Sequence, residues 1–140
     1  MIILDTNVIS ELMNRKPDSA VLTWADSQRR SQLVTTAITV MELHAGVERL
    51  KPGRRKSELK DLVVWTLDEL LEGRVLNFDR KAAVETAGFF ARCRATGRAV
   101  ETRDSQIAGI AIARRIPVAT RNVTHFEAAG IKVVDPWSGA

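Results

Sequence analysis

The sequence holds one cysteine, Cys93, so no intrachain disulfide can form. That fits a reducing compartment. No apolar run approaches the roughly 18 residues of a membrane-spanning helix. The start, MIILDTN, has no basic stretch ahead of its apolar residues and does not read as a secretory signal. A soluble, cytoplasmic protein with no membrane partner is therefore expected. There is no phosphate-binding P-loop and no glycine-rich dinucleotide fingerprint. Repeats, low-complexity tracts and linkers are also missing, so one domain over residues 1–140 is expected.

The composition is that of an ordinary globular chain, 45% hydrophobic and 27% charged. The net charge of +4 leans toward an anionic partner such as RNA or DNA. Short apolar runs alternate with helical periodicity. Strands are expected at Ile2–Leu4, 33–38, 75–78, 117–120 and 131–134. Thr6 or Asn7 can cap a first helix, and Asp18 starts a second. A third begins at Thr39 and ends before Lys51–Gly53. A longer one covers about Ser57–Glu72. Another follows Asp79, with Val84, Ala87, Phe90 and Ala91 facing inward, and the last covers about Asp104–Arg115. Strand–helix alternation of this kind implies right-handed crossovers and a mainly parallel sheet covered by helices on both faces.

In such sheets, ligands bind at the carboxyl ends of the strands. That rule selects Asp5 after the first strand, Glu42 in the first turn of the helix after the second, Asp104 at or near the start of the helix before the fourth strand, and Asn122 just past that strand. Carboxylates brought together repel, and stay ionised only beside a cation. Oxygen ligands suit Mg²⁺ or Mn²⁺. Such ions activate water and stabilise charge at a phosphate, which is the chemistry of a metal-dependent nuclease. Each residue also has an ordinary structural reading, as a helix cap or a solvated charge.

The four blocks M-I-I-L-D-T-N-V-I-S-E, A-I-T-V-M-E-L-H-A-G (37–46), R-D-S-Q-I-A-G-I-A (103–111) and V-A-T-R-N-V-T-H-F (118–126) together resemble the PIN-domain ribonucleases, specifically the VapC-type (FitB-like) toxins of type II toxin–antitoxin systems. Their order and spacing fit over essentially the whole chain. The resemblance implies a five-stranded α/β/α sandwich with strand order 3-2-1-4-5. It implies an acidic site of Asp5, Glu42 and Asp104 holding Mg²⁺ or Mn²⁺, RNA hydrolysis, and a homodimer. It also implies a small antitoxin whose C-terminal segment occupies a groove on the toxin, often with an arginine at the acidic site.

One position departs from the pattern. Relatives often carry a fourth acidic residue at 122 or a few residues later, where this chain has Asn122 and His125. Asparagine can coordinate through its carbonyl oxygen but brings no charge, so one firmly held ion is expected. Glu101 is the nearest spare carboxylate. Thr6 and Asn7 are placed to steady Asp5, and Thr120 to hydrogen-bond within the site. His44 and His125 read first as surface histidines, and Cys93 as a packing residue.

The basic stretch RLKPGRRKSELK (49–60) offers Arg49, Lys51, Arg54, Arg55, Lys56 and Lys60 to phosphates, but no aromatic ring to stack bases. Its flanking helices, with Trp65, could supply the apolar antitoxin groove. The expected mechanism is attack by a metal-activated water, with Glu42 as a candidate proton acceptor, leaving a 5′-phosphate and a 3′-hydroxyl. The competing expectation is a catalytically weak module that binds antitoxin or RNA. A phosphatase of the haloacid-dehalogenase type is disfavoured, because Asn7 stands where that chemistry needs a second aspartate.

Overall fold

The computed structural model describes residues 1–138; the last two residues of the chain lie outside it. Five short strands form one sheet in the order β3-β2-β1-β4-β5, every pair parallel. They are β1 (Ile2–Leu4), β2 (Leu33–Thr36), β3 (Val75–Leu76), β4 (Val118–Ala119) and β5 (Val133–Val134). β1 is central, pairing Ile3 with Val34 on one side and with Val118 on the other. All three of its residues are buried, as a strand covered on both faces requires.

The pleat splits β1 between two apolar layers. Ile3 faces the layer built from α5 (Arg80–Ala95) and α6 (Thr102–Arg114), with Phe89, Ile107 and Ile110 at its centre. Ile2 and Leu4 face the other, built from α1 (Thr6–Leu12), α2 (Ser19–Ser27), α3 (Ala37–Glu48) and α4 (Arg54–Trp65), with Val8, Ile9, Val21, Val47 and Val63. The α/β/α sandwich and its strand order are those the sequence implied.

Local chemistry moves several boundaries. β2 stops at Thr36, two residues early, because the Thr36 hydroxyl accepts the Thr39 N–H at 3.2 Å and caps α3. Glu42 consequently sits in the second turn of α3. α1 is capped by Asp5 rather than by Thr6 or Asn7. α4 starts at Arg54, and its last stretch loosens into a π-turn over Thr66–Leu70. α6 starts at Thr102, so Asp104 lies inside its first turn and is not the cap.

The inward face of α5 also differs from the expected one. Val84 is 65% exposed, and Ala82, Thr86, Phe89 and Cys93 point to the core. The reason lies across the interface, at Gly109 of α6. A Cβ there would overlap the Thr86 hydroxyl and lie 2.6 Å from the Ala82 carbonyl. The helices touch backbone to backbone, which demands small residues on the facing stripe of α5. Gly109→Ala should therefore destabilise the chain by about 2 kcal/mol in urea unfolding, because overpacking outweighs the better helix propensity of alanine. An unchanged or raised midpoint would show that the two helices have room to separate.

Candidate functional site

Sheet register brings the candidate residues to one edge. The Asp5 N–H donates to the Ala119 carbonyl at 3.0 Å, extending the β1–β4 pairing by one residue and fixing where the carboxylate emerges. One Asp5 oxygen accepts the Thr6 N–H at 2.8 Å. The other accepts the Thr120 hydroxyl at 2.7 Å and, at 3.4 Å, the Asn7 amide. Asp5 is only 2% exposed. Every one of these donors is neutral, so among the described residues its charge has hydrogen bonds but no cationic side-chain partner. Burial pushes the carboxyl up to about 6 from 3.8; the Thr120 and Thr6 bonds pull it down, and the negative Asp104 and Glu42 push it up again.

Asp5, Glu42, Asp104 and Asn122 all line one pocket of about 510 Å³ at the carboxyl edge of the sheet. Glu101 and His125 line it too. Glu42 accepts the Thr6 hydroxyl at 2.7 Å, and its second oxygen lies 3.7 Å from the Arg103 guanidinium. Asp104 is paired with His125, Nδ1 to Oδ2 at 2.9 Å. Asn122 is exposed at the rim, and its backbone N–H donates to the Thr120 hydroxyl at 3.0 Å. Thr120 is thus a hub, bonded to Asp5, Asn7 and the Asn122 backbone.

The donor set is hard oxygen throughout, and Asp5 lacks positive charge, which suits a divalent cation of the Mg²⁺ type. Among the described residues, no three acidic, histidine or cysteine side chains stand close enough to form a ready-made metal centre. The geometry above gives the reason. Glu42 leans to Arg103 and Asp104 to His125, so the carboxylates share a pocket but are held apart. Rotation about their side-chain bonds, away from these partly exposed partners, is what closing around a cation requires.

Several pocket residues were not singled out in the sequence. Ser10 and Glu11 of α1, and Asn14 just past its end, continue a polar stripe from Asn7 at helical spacing, a signal that was present. Arg103, which is outside the lining but pairs with Glu42, directly precedes Asp104 in the block 103–111. Arg121 and Trp137 also line the pocket. Trp137 arrives from the far end of the chain and had no local signature. His44 is not among the lining residues. His125, read as a surface residue, is bonded to Asp104. Cys93 is buried in α5, as expected.

An apolar groove of about 400 Å³ adjoins the pocket, sharing Thr6, Ser10, Asn14 and Glu42 with it. Met13, Leu43, Leu59 and Val63 line its floor, and Arg49 its edge. Trp65 is outside this lining and 54% exposed. Of the basic stretch, Arg54 pairs with Glu58 and Lys56 with Glu48. Among the described residues, no helix is long and apolar enough to cross a membrane.

With that geometry in view, the family profile described as "PIN domain" matches residues 2–131. The chain belongs to the PIN-domain family, in its VapC-type branch. It is 44% identical to plasmid stability protein StbB of Pseudomonas syringae pv. tomato, over 98% of this chain and 99% of that protein. It is 41% identical to the VapC ribonuclease Y4jK of Sinorhizobium fredii over the whole of both. The crystal structure of FitAcB from Neisseria gonorrhoeae superposes with a TM-score of 0.90 at 36% identity, covering 98% of this chain and 99% of that one.

The uncompensated Asp5 charge has a measurable consequence. With a folded value near 6 and a free value of 3.8, the folded chain keeps a proton that the unfolded chain releases between about pH 4 and 6. Folding stability attributable to Asp5 therefore falls as pH rises through that window and stays low above it. In EDTA, Asp5→Asn should raise stability over the unsubstituted chain by about 1–2 kcal/mol at pH 7.5, a rise of a few degrees in Tm, with no gain near pH 4. Equal stability of the two chains at pH 7.5 would show that neutral hydrogen bonds suffice for the buried charge.

Proposed function

We propose that this PIN domain is the toxin of a toxin–antitoxin pair and acts as a Mg²⁺- or Mn²⁺-dependent endoribonuclease. The observation that carries the reading is the shared pocket of Asp5, Glu42 and Asp104 on three separate elements, around a buried carboxylate without a counter-ion. The naming of a relative 41% identical over its full length as a VapC ribonuclease supports it.

Asp5, Glu42 and Asp104 would hold the ion, with Asn122 offering a neutral oxygen at the rim. When bound, the ion supplies Lewis acidity at the scissile phosphate and at the attacking water. The protein supplies position. Thr6 and Thr120 hold Asp5 in one orientation, and the Thr6 hydroxyl holds Glu42. Glu42 takes the proton of the attacking water. In-line attack by water breaks the P–O3′ bond, and leaves a 5′-phosphate and a 3′-hydroxyl.

The antitoxin is the proposed occupant of the apolar groove beside the pocket, where Leu43, Leu59 and Val63 take apolar side chains and the shared carboxylates take a cationic one. Homodimerisation belongs to the same proposal, on the strength of the family resemblance. A second reading, a weakly catalytic binding module, is favoured by one observation: the neutral Asn122 stands where a fourth acid is usual.

The test is RNA cleavage by the chain purified free of antitoxin. Mg²⁺ or Mn²⁺ should support cleavage, EDTA should abolish it, and Asp5→Ala should remove it. Glu42→Gln should slow cleavage by about 100-fold or more. Cleavage indifferent to EDTA and to Asp5→Ala would sink the proposal. Asn122→Asp separates the readings: a large gain in rate marks a weakened site, and an unchanged rate marks a complete three-carboxylate site.

A further inference from the structure

The acidic pocket carries one arginine in its lining, Arg121, and it is not spent on the carboxylates. Five acidic residues line the same pocket, Asp5, Glu11, Glu42, Glu101 and Asp104. None of the ion pairs among the described residues engages Arg121. Its guanidinium carbon lies instead 5.0 Å from the centroid of the Trp137 ring, within cation–π range.

Both partners are held from behind. The Arg121 N–H donates to the Asn7 side-chain oxygen at 3.3 Å, which ties its backbone to the start of α1. Trp137 sits in a short 3₁₀ turn, Pro136–Ser138, directly after β5. Its N–H donates to the Asp135 carboxylate at 2.9 Å, and the preceding Pro136 is buried. Trp137 packs against the apolar layer that α1 and α2 help to build. It is half-buried and lines the pocket.

The pair places a planar cation and an aromatic ring together beside the proposed cleavage site. Single-stranded RNA is recognised through such surfaces, because bases stack on aromatic rings and on arginine planes. The pocket otherwise repels a polyanion, so a positive charge here is also what a phosphate neighbouring the scissile one needs. We propose that Arg121 and Trp137 form a stacking platform for one nucleobase of the RNA, adjacent to the scissile phosphate, which fixes the register in which the strand enters the acidic site. The proposal rests on the ribonuclease reading and adds a base-binding subsite to it.

The test is an abasic scan. A set of single-stranded RNA oligonucleotides, identical except for one abasic nucleotide moved along the strand, is titrated against the full chain in Ca²⁺, with the RNA checked for integrity afterwards. The unsubstituted protein should bind about tenfold more weakly when the abasic nucleotide falls at one particular position. Arg121→Lys keeps the charge and removes the plane. It is an exposed position and leaves the core untouched. In this variant the salt dependence of binding should stay the same while the position-specific loss disappears. Trp137→Phe should keep part of the position dependence and Trp137→Leu should remove it, with Tm measured on each.

A flat abasic scan with the unsubstituted chain, or an Arg121→Lys chain with the same position-specific loss, overturns the platform. If the unsubstituted chain still cuts RNA in Mg²⁺ or Mn²⁺, the ribonuclease reading survives that result. A chain that neither binds nor cuts RNA overturns both.

Discussion

The buried charge of Asp5 is the constraint on which the site depends. Its carboxylate sits at the end of the central strand, with neutral hydrogen bonds on both oxygens and, among the described residues, no cationic side chain paired with it. Moving a lone carboxylate into such a position is unfavourable unless something else neutralises it. Much of the local structure is arranged around holding it there. Thr120, just past β4, donates to it; Thr6, the first residue of α1, does so through the backbone; and α1 starts because Asp5 caps it. Glu42 and Asp104, in the same pocket, deepen the shortage of positive charge, which is the property a divalent cation answers.

In the same pocket, the two carboxylates beside Asp5 each have a partner of their own. Glu42 turns to Thr6 and Arg103, and Asp104 to His125. Arg103 and His125 are partly exposed side chains and can swing aside at little cost, since exposed ion pairs contribute only about 1 kcal/mol or less. They act as local counter-charge and hydrogen-bond partner for carboxylates that are otherwise unpaired.

Much of this was legible in the sequence, because its strongest signals are local. The run Ile2–Leu4 ending in Asp5 marks a buried strand carrying a carboxylate, and the order of short strands and amphipathic helices marks a parallel sandwich. Thr120 was legible as a site residue because it closes the expected strand 117–120, at the carboxyl edge of the sheet. The misses have common causes. The inward stripe of α5 was set by the close approach of Gly109, a contact 27 residues away from Ala82. The pairing of His125 with Asp104, and the arrival of Trp137 at the pocket, depend on where β5 and its flanking 3₁₀ turns lie. Periodicity along one segment carries no information about either. The stripe of Ser10, Glu11 and Asn14 was readable from spacing alone, as the polar counterpart of the buried Val8 and Ile9.

The central claim is that three carboxylates, with Asn122 in place of a fourth, make a site for one divalent cation. Calorimetric titration of the antitoxin-free chain with Mn²⁺ tests it most directly, without reference to any RNA. The account predicts one ion per chain, with binding lost in Asp5→Asn and weakened in both Glu42→Gln and Asp104→Asn. Two tightly held ions per chain, or binding that survives Asp5→Asn unchanged, would contradict it.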